Sequence, residues 1–216
     1  MDEVKTESTE LATTAPAAVA VPTDGTANIW NNTTLYAQAV KQAKILASSE
    51  LVPEGVYRGK PANCLIALDM AYRMNMSPLN VMQNLFIVKG KPGWSGQFCI
   101  AAINASPRFS TKLEFVQLLN EDGSTKGYYA QAVDAATGKV CTGSPVTWDM
   151  AKAEGWVDKP GSKWKTMPDL MFHYRAAAFF AREFCPEVLN GLQTADELRD
   201  VRGYEETTAK TVITLD

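Results

Sequence analysis

Residues 163–185 read Lys163-Trp164-Lys165-Thr166-Met167-Pro168-Asp169-Leu170-Met171-Phe172-His173-Tyr174-Arg175-Ala176-Ala177-Ala178-Phe179-Phe180-Ala181-Arg182-Glu183-Phe184-Cys185, and the reading of the whole chain turns on them. Thr166 is a capping residue before the periodic stretch, and Pro186 stops a helix after Cys185. Asp169 at the third position suits the positive end of the helix dipole. At about 100° per residue, Met167, Leu170, Met171, Tyr174, Ala178, Ala181 and Cys185 form one stripe. The pattern predicts a helix over 167–185 with that stripe on the core. Arg175 and Arg182 differ by only about 20° around such a helix and about 10.5 Å along it. They fall at the margin of the stripe. Two guanidiniums so aligned are placed to hold different phosphates of one strand. They are equally placed to snorkel or to pair with Glu183 and Glu187, and geometry alone leaves both readings open.

The loop before this helix, residues 155–165, interleaves Lys159, Lys163 and Lys165 with Trp156 and Trp164. A single-strand groove uses that combination, with charge following the backbone and flat rings stacking bases. A solvated loop anchored by two packed tryptophans has the same composition. Lys89 and Lys91 flank Gly90 with Trp94 close behind, which predicts a small hairpin with a basic tip or an ordinary solvated turn. Arg108 and Lys112 stand at the entry to the next segment with the same two readings.

That segment, residues 111–147, changes character. Residues 112–116, 128–133 and 140–146 alternate in part, and Glu121-Asp122-Gly123 and Ala135-Ala136-Thr137-Gly138 are turn signals between them. The pattern predicts a three-stranded antiparallel meander. Thr147 caps a short helix over 148–154, ended by Gly155. Upstream, a helix is predicted over 31–50, with Leu35, Ala39, Ala43 and Leu46 on one side, and a second over 61–74. Ser77-Pro78 opens a third short helix, and Ser95 caps a fourth to about Asn104. Thr194-Ala195-Asp196-Glu197 is a capping box that starts the last one. The class is α+β: an antiparallel three-stranded sheet plus a small hairpin, packed against helices.

Charge divides the 216 residues into three parts. Residues 1–27 carry one base and five acids, residues 204–216 one base and three acids, and residues 28–203 nineteen bases and sixteen acids. The net charge of −3 therefore conceals a mildly basic body with acidic tails. The first 27 residues are rich in Thr, Ala and Pro, lack aromatics, and read as a disordered tail. The last 13 read as a short acidic tail. A body of +3 permits a polyanionic partner without pointing to one.

Several chemistries are thinly represented. No GxxxxGK[ST], GxGxxG or HExxH pattern occurs, the carboxylates show no paired pattern, and His173 is the one histidine. The four cysteines lie 35 to 44 residues apart with no CxxC pair, which predicts reduced thiols rather than a zinc site. No apolar run reaches transmembrane length, and the acidic start lacks a secretory pattern. The expectation is a cytoplasmic protein that is not an enzyme, uses no cofactor and acts through binding energy without ATP.

Residues 163–176 followed by Ala181-Arg182 resemble the signature helix of the RecT/Bet family of phage-type single-strand annealing proteins. That family's pattern is roughly W-x-x-[MH]-P-x-x-M-x-x-[YH]-[RK]-A-x(5)-A-R. Residues 191–198 are similar to the family's ending after that helix. Residues 63–71 and 76–85 also resemble it, as does Val88-Lys89-Gly90-Lys91-Pro92. The likeness spans roughly residues 50–203. It implies a single annealing core over 28–203, with DNA in a groove between the signature helix and a hairpin. By the resemblance, Arg175 and Arg182 match basic DNA-contacting positions; some members carry a lysine just after the proline, where this chain has Asp169. The implied partners are single-stranded DNA, the annealed duplex intermediate, further copies in a ring or helical filament, a partner exonuclease and a host single-strand-binding protein. The implied place is the cytoplasm of a bacterial host or phage-infected cell. A module that protects single strands without annealing them is the other reading, and a nuclease ranks last.

Overall fold

The structure, a computed structural model, describes residues 28–200. The two tails read from the sequence, 1–27 and 204–216, lie outside the described residues, as do residues 201–203 of the expected core. The architecture is α+β, with seven α-helices and open antiparallel sheets among the described residues.

Helix α1 (Thr33–Ser48) starts where the Asn32 side chain accepts from the Leu35 amide. Its buried residues are Ala39, Ala43 and Ala47, and those of α2 (Pro61–Arg73) are Cys64, Ala67 and Ala71. A seam of small side chains lets the two helices pack closely. Leu35 and Leu46, expected on the buried face of α1, are only half-buried. Helix α3 (Pro78–Asn84) has proline in its first turn, but the Ser77 hydroxyl makes no capping bond.

The predicted hairpin forms from β1 (Leu85–Val88) and β2 (Lys91–Trp94). Val88 pairs with Lys91, so Lys89 and Gly90 alone make the turn, with φ of 49° and 76°. Positive φ at both positions matches the twist of the flanking strands. Helix α4 (Gly96–Ala105) follows at once, with the Ser95 hydroxyl accepting from the Phe98 amide.

The main sheet has four strands rather than three: β3 (Glu114–Leu119), β4 (Thr125–Val133), β5 (Val140–Thr142) and β6 (Val146–Thr147). Strand β4 is central. It pairs with β3 along one edge and with β5 and then β6, in tandem, along the other. The sequence reading ran the last strand through residues 140–146 without a break. The break falls at Gly143-Ser144-Pro145, because proline has no amide to give a ladder and the Ser144 amide donates to the Glu183 carboxylate at 3.1 Å instead. Gly127 is obligatory opposite that edge, since a Cβ there would lie 2.1 Å from the Val146 carbonyl oxygen.

Helix α5 (Trp148–Ala153) is capped by Thr147 as expected. A 3-10 turn at Lys163–Lys165 leads into α6 (Pro168–Phe184). The capping position of α6 is Met167, with no side-chain bond, and Thr166 belongs to the preceding turn. The buried face also differs from the expected stripe. Phe172, Arg175, Ala176, Ala177, Ala178, Phe180 and Ala181 are buried, whereas Met167 and Leu170 are exposed. Those buried positions go nearly all the way round the helix, because α6 is the central helix of the fold. It packs on β4 and β6, on α4, and on the turns at both of its ends. Its alanines let neighbours approach on several sides. At Gly96 of α4 a Cβ would meet Tyr174 Cβ at 2.8 Å. Phe172 and Phe180 are fully buried, each contributing about 1.5–3 kcal/mol of apolar burial.

A 3-10 turn (Pro186–Leu189) follows α6, and the chain ends its described course in α7 (Ala195–Asp200). The capping box is present: the Thr194 amide donates to Glu197 Oε2 at 2.9 Å and the Glu197 amide donates to Thr194 Oγ1 at 3.4 Å. Helix α7 lies on the hairpin. Trp94 donates its amide to the Gln193 carbonyl, and a Cβ on Gly93 would meet Leu198 Cδ1 at 2.7 Å. All four cysteines are free. Burial pushes the Cys185 thiol up to about 12 and raises that of Cys99 as well. No described helix is long and apolar enough to cross a membrane.

Candidate nucleic-acid interface

Four parts of the chain meet at one open cleft of about 470 Å³. The middle of α6 contributes Met171, Tyr174 and Arg175, and the loop before it contributes Trp156, Lys159, Lys163 and Trp164. The hairpin and α7 contribute Phe86, Asp196, Arg199 and Asp200. Four cations therefore face two carboxylates around one cleft, an excess of positive charge over an aromatic floor.

Arg175 is buried, at 7% exposure. It lies where the central position of α6 leaves no solvent margin, so the margin read from the sequence is closed. Its guanidinium sits over the Trp156 ring, 4.2 Å from the centroid, and pairs with one oxygen of Asp200. The other oxygen of Asp200 pairs with Lys159 Nζ. Arg182, one heptad on, is half-exposed and pairs with Glu197 Oε1 at 2.8 Å. That contact is close enough for an ion pair but not aligned as a hydrogen bond, and Glu197 Oε1 is otherwise buried without a partner. Both arginines of α6 are thus met by carboxylates of α7. The sequence reading named Glu183 and Glu187 instead. Glu183 serves the Ser144 amide, and Glu187 stands 3.9 Å from Arg108.

Trp164 is the clearest correction. It is 5% exposed, with its ring centroid 4.8 Å from Phe172, 5.5 Å from Trp156 and 5.9 Å from Trp148. It anchors the loop in the core and, although it lines the floor of the cleft, leaves too little surface for a base to stack on. Lys163 is exposed at the cleft, and Lys165 is 3.8 Å from Asp158 outside it. Lys89 and Lys91 are exposed at the hairpin tip and do not line the cleft.

Arg108 and Lys112 lie apart from the cleft lining. Arg108 donates to Asp134 at 3.1 Å, and Lys112 donates to the Asn104 carbonyl at 2.7 Å. Asp134 also accepts from the Thr137 amide and hydroxyl and from the Ala136 amide. The Thr137 amide first, then its hydroxyl, with Arg108 adding to them, hold the Asp134 carboxyl below its usual range. These two cations tie the sheet to its neighbours.

His173 stacks on Phe115 at 4.3 Å and meets the edge of Tyr128 at 5.0 Å. Burial lowers its pKa, opposed by Asp169. It fills the seam between α6 and the sheet. No group of three or more metal-ligating side chains occurs among the described residues.

Asp200 and Arg199 are the cleft residues that sequence reasoning missed, along with Phe86. Asp200 is 25 residues from Arg175, and no local pattern links such a pair. Glu197 was legible only as the end of a capping box. No family model, curated protein or solved structure matches the chain.

Proposed function

We propose that this protein is a DNA single-strand annealing protein of the RecT/Bet type, which binds single-stranded DNA in a basic groove and pairs complementary strands without nucleotide hydrolysis. The support from sequence is the ordered set of motifs along residues 50–203 that resembles this family. The observation that carries the reading from geometry is the convergence of Arg175, Lys159 and Lys163 on one cleft, beside the hairpin whose tip carries Lys89 and Lys91. Cations along that path release counterions from backbone phosphates. The strand is held extended, base pairing with a second strand supplies specificity, and the protein supplies proximity. Copies side by side in a ring or filament multiply weak contacts. A partner exonuclease would supply the single strands, and a host single-strand-binding protein would be displaced from them.

The test uses complementary labelled oligonucleotides, the protein and no ATP. Faster pairing than in buffer is the expected result. Slower pairing makes the protein a single-strand-protecting module, and magnesium-dependent cleavage makes it a nuclease. Binding should weaken with salt by about 0.7 in log K per phosphate contacted and per decade, so four contacts lose roughly 50-fold between 50 and 200 mM. Affinity flat over that range refutes the phosphate groove.

A further inference from the structure

The cleft already holds an anion. Asp200 gives one carboxylate oxygen to Lys159 and the other to Arg175, which is how two non-bridging oxygens of a phosphodiester would be shared. We propose that Asp200 occupies, in the free protein, the seat of one backbone phosphate of the strand, and that bound single-stranded DNA takes this seat by displacing the end of α7. The proposal rests on the reading given under Proposed function.

Two further observations bear on it. First, Arg175 is fixed by its stacking on Trp156, so the cation stays in place when its partner changes. Second, Asp200 is the last residue of α7, where a carboxylate meets the negative end of the helix dipole. The first turn of that helix is anchored, by the capping box and by Leu198 against Gly93, so only its end has to move.

The experiment measures binding of a labelled oligo-dT by anisotropy to the full chain, to Asp200→Asn, and to Glu121→Gln as a charge-matched control in the exposed β3–β4 turn. If Asp200 fills the seat about nine-tenths of the time, Asp200→Asn binds about tenfold tighter. Glu121→Gln changes affinity less than about twofold, because an exposed turn charge is screened. Asp200→Asn binding no tighter than the unaltered chain overturns the proposal and leaves the annealing reading intact. An equal gain from Glu121→Gln overturns it too, since the effect is then net charge. If neither the unaltered chain nor Asp200→Asn binds any oligonucleotide, the annealing reading fails and the seat fails with it. Hydrogen exchange on the unaltered chain decides the matter even if Asp200→Asn does not fold. Oligo-dT should speed exchange at residues 199–200 while slowing it at 159–165, and unchanged or slower exchange at 199–200 refutes the displacement.

Discussion

Trp164→Leu separates a structural tryptophan from a base-stacking one. Trp164 contacts Phe172, Trp156 and Trp148 through ring centroids 4.8, 5.5 and 5.9 Å away and is 5% exposed. Removing a buried tryptophan to alanine costs about 3–5 kcal/mol, and leucine refills part of the volume, so the expected cost is about 2–3 kcal/mol. For a body of this size that lowers the melting temperature by about 5–10 °C. Circular dichroism on heating reads the loss. Anisotropy with oligo-dT, taken well below the lowered midpoint, should show a Kd within about twofold of the unaltered chain, because no base reaches the ring. A stacking platform gives the opposite pair of results. It would cost about 1–3 kcal/mol of binding, tenfold or more in Kd, with little change in melting. An unchanged melting curve beside a tenfold loss of affinity would refute the packing argument and return Trp164 to the interface.

Gly127→Ala should destabilise by about 3 kcal/mol, because the new Cβ would lie 2.1 Å from the Val146 carbonyl oxygen and force β6 off the edge of β4. A urea midpoint equal to that of the unaltered chain would show that the edge yields freely. His173 makes stability fall on acidification. Burial holds its folded pKa below the unfolded value of 6.5, so the unfolded chain takes up the proton first. Its contribution is complete above pH 6.5 and is lost as pH falls through the folded value. His173→Phe should therefore flatten the change in urea midpoint between pH 7.5 and pH 5.5, and an unaltered slope would assign the acid sensitivity elsewhere.

Most elements set by a local rule were legible, although the Ser77 and Thr166 caps did not form. The Lys89-Gly90 turn, the Ser95 and Thr147 caps and the Thr194–Glu197 box depend on neighbours within a few residues, and the structure has each of them. The stripe on α6 was misread for a different reason. Periodicity locates one apolar face, but a run such as Ala176-Ala177-Ala178 does not reveal that sheet, helix and turn all close on it. The burial of Arg175 follows from that closure. The strand break at Pro145 was marked in the sequence by the proline itself, whereas the acceptor for the Ser144 amide, Glu183, lies 39 residues away. At the cleft Arg175, Lys159 and Lys163 were legible by residue type, whereas Arg199 and the carboxylate Asp200 were not, because ion pairing across 25 or 41 residues is a property of packing.

The two ion pairs between α6 and α7 are not equivalent, and the difference yields a separate prediction. A buried guanidinium without an anion is costly, so Asp200 opposite Arg175 stabilises the free protein and is no argument against a phosphate in the same place. Glu197 is held differently. Its Oε2 accepts from both the amide and the hydroxyl of Thr194, at 2.9 and 3.0 Å, and its side chain is only 7% exposed. It cannot swing away without undoing the start of α7. Arg182 is half-exposed and is able to keep Glu197 on one side while offering free N–H groups on the other. Glu197→Gln should then behave unlike Asp200→Asn. The amide oxygen keeps the Thr194 bonds, the ion pair is lost at a cost of about 1–2 kcal/mol, and single-strand affinity stays within about twofold. If Glu197→Gln tightens binding as much as Asp200→Asn does, α7 acts as a diffuse acidic screen over the groove, and the assignment of one phosphate to one carboxylate is wrong.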